Sequence, residues 1–573
     1  MRDAAHRVFE RLPLQFRLLY RQFLLRVIDL DSLSIEADIP RFLGQFAGVL
    51  IMISVFQTFV FVIVSGGGSD LQSMMRTGLH TVQSLLAGTM LIAGLTAVAT
   101  WDNIFPDLRD AMVLGPLPVR PRTILAAKLA SSASLLAIGV LSLNCGMGIV
   151  LPLLAGGLLR FPLIVATYWF TVSAAAAFVF GAVLTIQGLL AAALPRRWFL
   201  RLSSILQLAS FALFLSVWLF QPSYGSAAEF ASTQQQGTLS RWPMFWFFGM
   251  FCQTTGIFPI ALTRLALLAW LGLVAAGVGA VASLLLCYLR TMKKTVEEPD
   301  LVQRRSHGSW TVPLGDSLQT AVVHFSLRSL VRSRQHRVVY AFFLAIAFAI
   351  AVSTLKQVAS THRTQSVTPE FLMNTLMMMC LAVAGLRSIF SLPVSLKANW
   401  VLQVTQLNPP ERYIAATRRA MLLMATIPVW ATAAGLSLCY RPWHQVAVHL
   451  LVLAFAGSIM TDVTLIGGSK IPFACSYLPG KSNIQFVFWV FVIVFIPLAM
   501  MFSHYEHSVF DHPRAYALLV AILLIAALIL WLFNRHQAKS AVLYFEEAEP
   551  EVITTIGIGS WKPIKQGVST PGQ

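Results

Sequence analysis

Long apolar runs separated by short, polar and often proline-marked intervals dominate this chain, and twelve of them are long enough to cross a bilayer as helices. A helix rising 1.5 Å per residue needs about 20 residues to cross a hydrocarbon slab about 30 Å thick. The first six runs lie near residues 46–64, 82–100, 124–151, 164–194, 202–220 and 265–289. The second six lie near 338–355, 372–389, 414–438, 446–466, 484–502 and 515–533. None shows the ten-residue alternation of a membrane-barrel strand. The pattern predicts an all-α polytopic membrane protein with about twelve transmembrane helices in two sets of six, both termini cytoplasmic.

Composition supports lipid as the solvent. The chain is 57% hydrophobic and 12% charged, more apolar surface than one water-soluble core can hide. The formal net charge is +18, but the basic residues flank apolar runs and do not form a patch with interleaved aromatics, so no nucleic-acid partner is expected. Topology accounts for them. With the N-terminus inside, about eight of the 42 Lys and Arg fall on the outer side: Arg76, Arg160, Arg241, Arg264, Lys356, Arg363, Arg441 and Arg514. A shift of one helix would invert this bias downstream, so charge and hydropathy agree on twelve spans. The first forty residues are rich in arginine, with no apolar stretch of signal-peptide length, so the first span is read as the membrane address. The six cysteines are scattered without metal-like spacing and read as small hydrophobes.

The two sets repeat. At an offset of 290, Leu117, Arg122, Ile124, Ala126, Lys128 and Ala130 recur as Leu407, Arg412, Ile414, Ala416, Arg418 and Ala420, at the start of each third span. Phe23-Leu24-Leu25-Arg26 and Phe325-Ser326-Leu327-Arg328 precede the first spans, and acidic clusters with proline follow the sixth. Three landmarks in the same order indicate a duplication. The expected divisions are a first six-helix half over 1–300, a linker with a second amphipathic helix over 301–337, a second half over 338–540, and a polar tail over 541–573.

Between the second and third spans of each half, the inner loop is rich in proline and charge. The first carries Trp101, Asp107, Arg109 and Asp110 and then Leu117, Pro118 and Arg122; the second carries Asn399, Trp400, Pro410, Glu411 and Arg412. Proline tolerates a helix start, so each reads as a short helix, a break and the entry to the third span. Such a projection can present a rigid knob to a soluble partner.

On these segments, the halves resemble type-2 ATP-binding-cassette permeases. The resemblance implies an elbow helix before each first span (14–27 and 322–332), a coupling helix in each inner loop, and external helices between spans five and six (221–256). It implies a fused pair of halves forming the membrane subunit of an exporter, driven by a separate soluble ATPase in two copies. Asp107, Arg109 and Asp110 would form a polar docking face, with Leu117, Pro118 and Arg122 anchoring the third span. Asn399, Trp400, Pro410, Glu411 and Arg412 would take these roles in the second half. ATP and magnesium would sit on the partner, this chain binding no cofactor of its own, and the expected location is a bacterial-type plasma membrane. The second half departs from the family pattern, since 503–513 is too short for an external helix pair.

Other chemistries find less support. Gly480-Lys481-Ser482 lacks the glycine a phosphate-cradling loop needs five residues earlier, where Cys475 stands, so no ATPase activity of the chain itself is expected. An ion-coupled twelve-helix transporter would place carboxylates mid-span, and a membrane transferase would cluster Asp, Glu or His at one interface. His504, Glu506, His507, Asp511 and His512 are the nearest approach to such a cluster. Lys128, Arg387, Arg418, Arg419 and Asp462 sit at inner span ends, where long side chains snorkel and Asp462 can pair with a neighbour. Asn144 and Gln187 read as interhelical hydrogen bonds.

Overall fold

The computed structural model describes residues 13–28, 39–66, 71–104, 108–219, 240–256, 262–297, 313–360, 367–394, 399, 410–437, 443–467, 471–474, 495–510, 512–541 and 543. Every element among them is helical. In the first part of the chain these are α1 (Leu14–Ile28), α2 (Ile39–Gly66), α3 (Leu71–Ala99), the short α4 (Trp101–Ile104) and α5 (Leu108–Leu114), α6 (Pro121–Asn144), α7 (Met147–Ala193), α8 (Arg196–Leu219), α9 (Pro243–Thr255) and α10 (Thr263–Glu297). The second part holds α11 (Ser317–Arg332), α12 (Arg334–Ser360), α13 (Pro369–Phe390), α14 (Pro410–Met421), a π-helical turn (Leu422–Thr426), α15 (Ile427–Ser437), α16 (Trp443–Thr464), α17 (Ile496–Val509) and α18 (Pro513–Ser540).

Nine helices among the described residues are long and apolar enough to span a membrane, which makes the chain an all-α multi-pass membrane protein. Two further expected spans, the fifth and seventh, contain the shorter apolar stretches Ile205–Leu219 and Val339–Leu355. The eleventh, near 484–502, lies largely outside the described residues.

Local chemistry sets the ends. Proline stands at the first turn of α6, α9, α13, α17 and α18, where its missing N–H has no intrahelical partner to lose. The Thr368 hydroxyl accepts from Phe371 N–H, while Glu370 in the first turn of α13 and Arg387 in the last complement the helix dipole. Gly256 ends α9 in the left-handed conformation with φ 81°. One sequence expectation shifts. The third span stops at Asn144, not near 151, and Met147 opens a 47-residue helix containing Pro152 and Pro162. The break is held by Gly146, whose N–H donates to Ser54 Oγ at 3.0 Å.

Burial separates centre from periphery. In the second span of each half, α3 and α13, 61% of the apolar window is buried, against 17% for α2 and α18. The two halves meet where α8 packs along α12: Phe211 meets Phe342 edge-on at 5.8 Å, and Val98, Phe211 and Ala345 form one buried cluster. Lipid provides no hydrophobic drive between helices, so close contact relies on small residues. Gly385 of α13 is such a point, since a Cβ added there would lie 2.6 Å from Phe343 Cβ on α12. That atom is tied to its own backbone and cannot swing aside. Gly385→Ala is therefore expected to destabilise the folded protein by about 1–3 kcal/mol, read as a lowered unfolding midpoint in detergent, with an exposed alanine control at Gly435 unchanged.

Candidate functional site

At the inner end of each half, meaning the side to which the charge bias assigns both termini, an amphipathic helix lies across the start of the third span. In the first half α1 packs on α6. Phe23 shares a buried cluster with Ile124 and Ala127, and Tyr20 and Ser134 exchange a hydroxyl hydrogen bond of 2.9 Å. In the second half α11 packs on α14, burying Val322 with Tyr413 and Ala416, and Arg419 Nη1 donates to Leu314 C=O at 2.8 Å. Both segments that the family resemblance marks as elbows are helical, the second beginning at Ser317 and not at 322.

Ion pairs with buried carboxylates fix these ends. Lys128 of α6 donates to Asp110 of α5, both almost fully buried, and the ammonium lies 5.2 Å from the centre of the Phe23 ring. Its repeat equivalent, Arg418 of α14, donates to both carboxylate oxygens of Asp462 at 2.6 and 2.9 Å and to Ser458 Oγ at 3.0 Å. Asn534 of α18 donates to the Asp462 carbonyl. The repeat thus keeps a cation at one position and takes its counter-charge from different elements, α5 in one half and α16 in the other.

This geometry revises the site residues. Asp107 and Trp400 lie outside the described residues, as does the Arg109 side chain. Asp110, expected on a polar docking face, is buried and supplies the counter-charge that Lys128 needs in the interior. Asn399 is buried too, donating to Ala474 C=O at 2.9 Å, and braces two inner loops. Leu117, Pro118 and Arg122 are exposed, so Ile124 and Ala127 anchor the third span instead. Pro410 and Glu411 are half-buried at the start of α14. Arg412 is exposed and 3.9 Å from exposed Asp316, a pair worth little in water. The sequence missed an apolar projection: Met112 and Val113 of α5 and then Leu117 are 68%, 63% and 48% exposed.

A clip closes the inner side of the second half. Phe473 adopts a left-handed backbone, φ 64°, a strained conformation for a bulky residue. Its N–H donates to Phe390 C=O at 2.9 Å, and its C=O accepts from Val394 N–H at 3.1 Å. The ring sits edge-on to Phe390 and His336. His336 Nε2 donates to Leu392 C=O at 3.0 Å, leaving Nδ1 to accept from the Ser333 hydroxyl. Burial holds this imidazole below the ordinary histidine value of 6.5, with the Leu392 hydrogen bond opposing the shift.

A second polar cluster lies near the outer ends of α13, α16, α17 and α18. His449 Nδ1 donates to Glu506 Oε1 at 2.9 Å, the Tyr516 hydroxyl donates to the same oxygen at 2.9 Å, and His449 Nε2 is 2.9 Å from Thr375 Oγ. All four side chains are buried. The sequence placed Glu506 in an outer loop, but α17 runs on to Val509 and turns it inward. Among the described residues no three His, Cys, Asp or Glu side chains form a metal-binding group. The corresponding region of the first half is uncharged: Tyr168 donates to Asn144 Oδ1 at 2.7 Å, and Asn144 Nδ2 to Thr89 Oγ at 3.0 Å. Gln187 donates to Trp101 C=O. Asn144 and Gln187 are thus interhelical hydrogen-bonding groups, and Asp462 pairs with Arg418, as the sequence indicated. An apolar cleft of about 240 Å³ also opens in the first half between α3, α7 and α8, lined by Met90, Phe178, Phe214 and Trp218.

Two outcomes are expected. Glu506→Ala strands the His449 and Tyr516 donors, and should cost about 3–5 kcal/mol of stability; Glu506→Gln, which retains an acceptor, should cost less in the same detergent unfolding assay. For His336, a folded value below the unfolded one makes its contribution complete above about pH 6.5 and lost as pH falls from there toward the folded value. Unfolding midpoints measured between pH 7.5 and 5 should fall less in His336→Gln than in wild type. Neither a protein-family model, nor a curated protein, nor a solved structure matches this chain.

Proposed function

We propose that the chain is the membrane permease subunit of an ATP-binding-cassette exporter in a bacterial-type plasma membrane, moving its substrate with ATP hydrolysed by a separate soluble ATPase that docks in two copies. The supporting observation is the inner-end arrangement: in each half an amphipathic helix is strapped across the start of the third span, and in the first half the short α5 is tied to that span beside it. A motor needs a rigid lever, and the Lys128–Asp110 pair ties α5 to α6, so that force applied to α5 moves the span with it. The contact surface for the motor is the exposed apolar ridge of Met112, Val113 and Leu117, with Arg122 beside it. Twelve spans with both termini cytoplasmic complete this reading.

Affinity purification of the chain from its native membrane in mild detergent should recover a soluble P-loop ATPase. Met112→Asp with Val113→Asp should reduce that recovery at least roughly tenfold, the loss expected for desolvated interface anchors, while the elution profile of the permease stays unchanged. A wild-type chain that transports in liposomes under an ion gradient, with no ATPase present, would sink the proposal. The buried His449–Glu506 pair is the one feature favouring that second reading, an ion-coupled twelve-helix transporter, since ionisable groups inside a membrane domain often mark ion paths. Under that reading Glu506→Gln abolishes gradient-driven transport.

A further inference from the structure

The elbow α11 buries one stripe against its neighbours, including Val322, Val323, Ser326 and Leu330. Its opposite face is open. Along that face His324, Arg328 and Arg332 recur every four residues, which puts them in one row. An open groove of about 1140 Å³ follows the row, and among the described residues no acidic side chain lines it. Apolar side chains flank the arginines on the same helix: Phe325 is 51% exposed and Val331 58%. The other elbow has the same composition. On α1, Arg17 and Arg21 are spaced by four beside Leu14 and Leu18, which are 64% and 61% exposed, and neither elbow contains an acidic residue. Arg17 Nε is buried with no hydrogen-bond partner among the described residues.

We infer that the α11 groove binds the phosphate headgroup of an anionic phospholipid from the inner leaflet. Guanidinium groups match phosphate oxygens in a bidentate geometry, and Arg328 and Arg332 present two of them one turn apart. Phe325 and Val331 then rest against acyl chains, as the apolar face of an interfacial helix does. A soluble partner fits this face less well, because it would have to cover exposed Val331 and Phe325 while supplying carboxylates to both arginines. The ridge at Met112 and Val113 has the opposite character, apolar without a basic row. Near an anionic leaflet each arginine is worth roughly fivefold in affinity, so the pair accounts for at least roughly a tenfold preference for anionic over zwitterionic lipid.

The test is native mass spectrometry of the full-length protein in neutral detergent, titrated with phosphatidylglycerol or with phosphatidylcholine of the same acyl chains. Wild type should retain tightly bound phosphatidylglycerol. Arg328→Gln with Arg332→Gln should remove one tight adduct, weakening it at least roughly tenfold, and leave phosphatidylcholine binding unchanged. Both arginines are exposed, so the variant should fold; Arg328→Lys with Arg332→Lys, which retains the charge, should keep most of the preference. Unchanged phosphatidylglycerol binding in the glutamine variant overturns the inference. So does displacement of the lipid by equimolar inorganic phosphate, which would make a soluble phosphate the ligand, or loss of a co-purifying soluble protein with lipid binding intact.

Discussion

A cation held in the interior at the inner end of a spanning helix must bring its counter-charge with it, and much of the inner architecture follows from that. Removing an isolated ammonium or guanidinium from water costs several kcal/mol even after relaxation, and a well-placed carboxylate with further hydrogen bonds offsets this. Lys128 draws Asp110 out of the inner loop and so pins α5 against α6. Arg418 draws Asp462 from α16 and, through the Asp462 carbonyl, gathers α18 as well. The elbows then lie over these sites, with the Phe23 ring against the Lys128 ammonium and Gln319 and Leu314 accepting from Arg419.

The two halves share a plan and differ in how they meet its polar demands. At the inner side, equivalent positions carry the cation, but the first half takes its carboxylate from a projecting loop helix and the second from the body of a span. The projection is therefore braced by an ion pair in one half, whereas in the other Asn399 and the Phe473 clip brace the inner loops. At the outer side the first half uses neutral groups, Asn144, Tyr168 and Thr89, and the second uses His449, Glu506, Tyr516 and Thr375. In both, a threonine of the second span joins the cluster, in keeping with the central burial of α3 and α13. A polar group excluded from water must find partners inside the protein, and three helices in the first half and four in the second converge to supply them.

The halves differ in how their third spans are held. The Lys128–Asp110 pair ties α5 to α6. In the second half the π-helical turn at Leu422–Thr426, in the same third span, offers a point where the helix can change pitch.

Much of this was legible in the sequence because the signals are local. Apolar run length fixed most spans to within a few residues, proline marked the starts of several, and the family resemblance pointed to helices at 14–27 and 322–332. Partnership was not legible. Asp110 and Asn399 look like surface groups in their loops, and Glu506 like part of an outer turn, because nothing local distinguishes a carboxylate facing water from one facing a buried cation or imidazole. The sequence alone determined the solvent and the helical class, since hydropathy acts on each segment independently. Only the tertiary structure decided which charges were buried, which apolar side chains stayed outside and where the third span broke, since these depend on contacts between residues as far apart as Arg418 and Asp462 or Gly146 and Ser54.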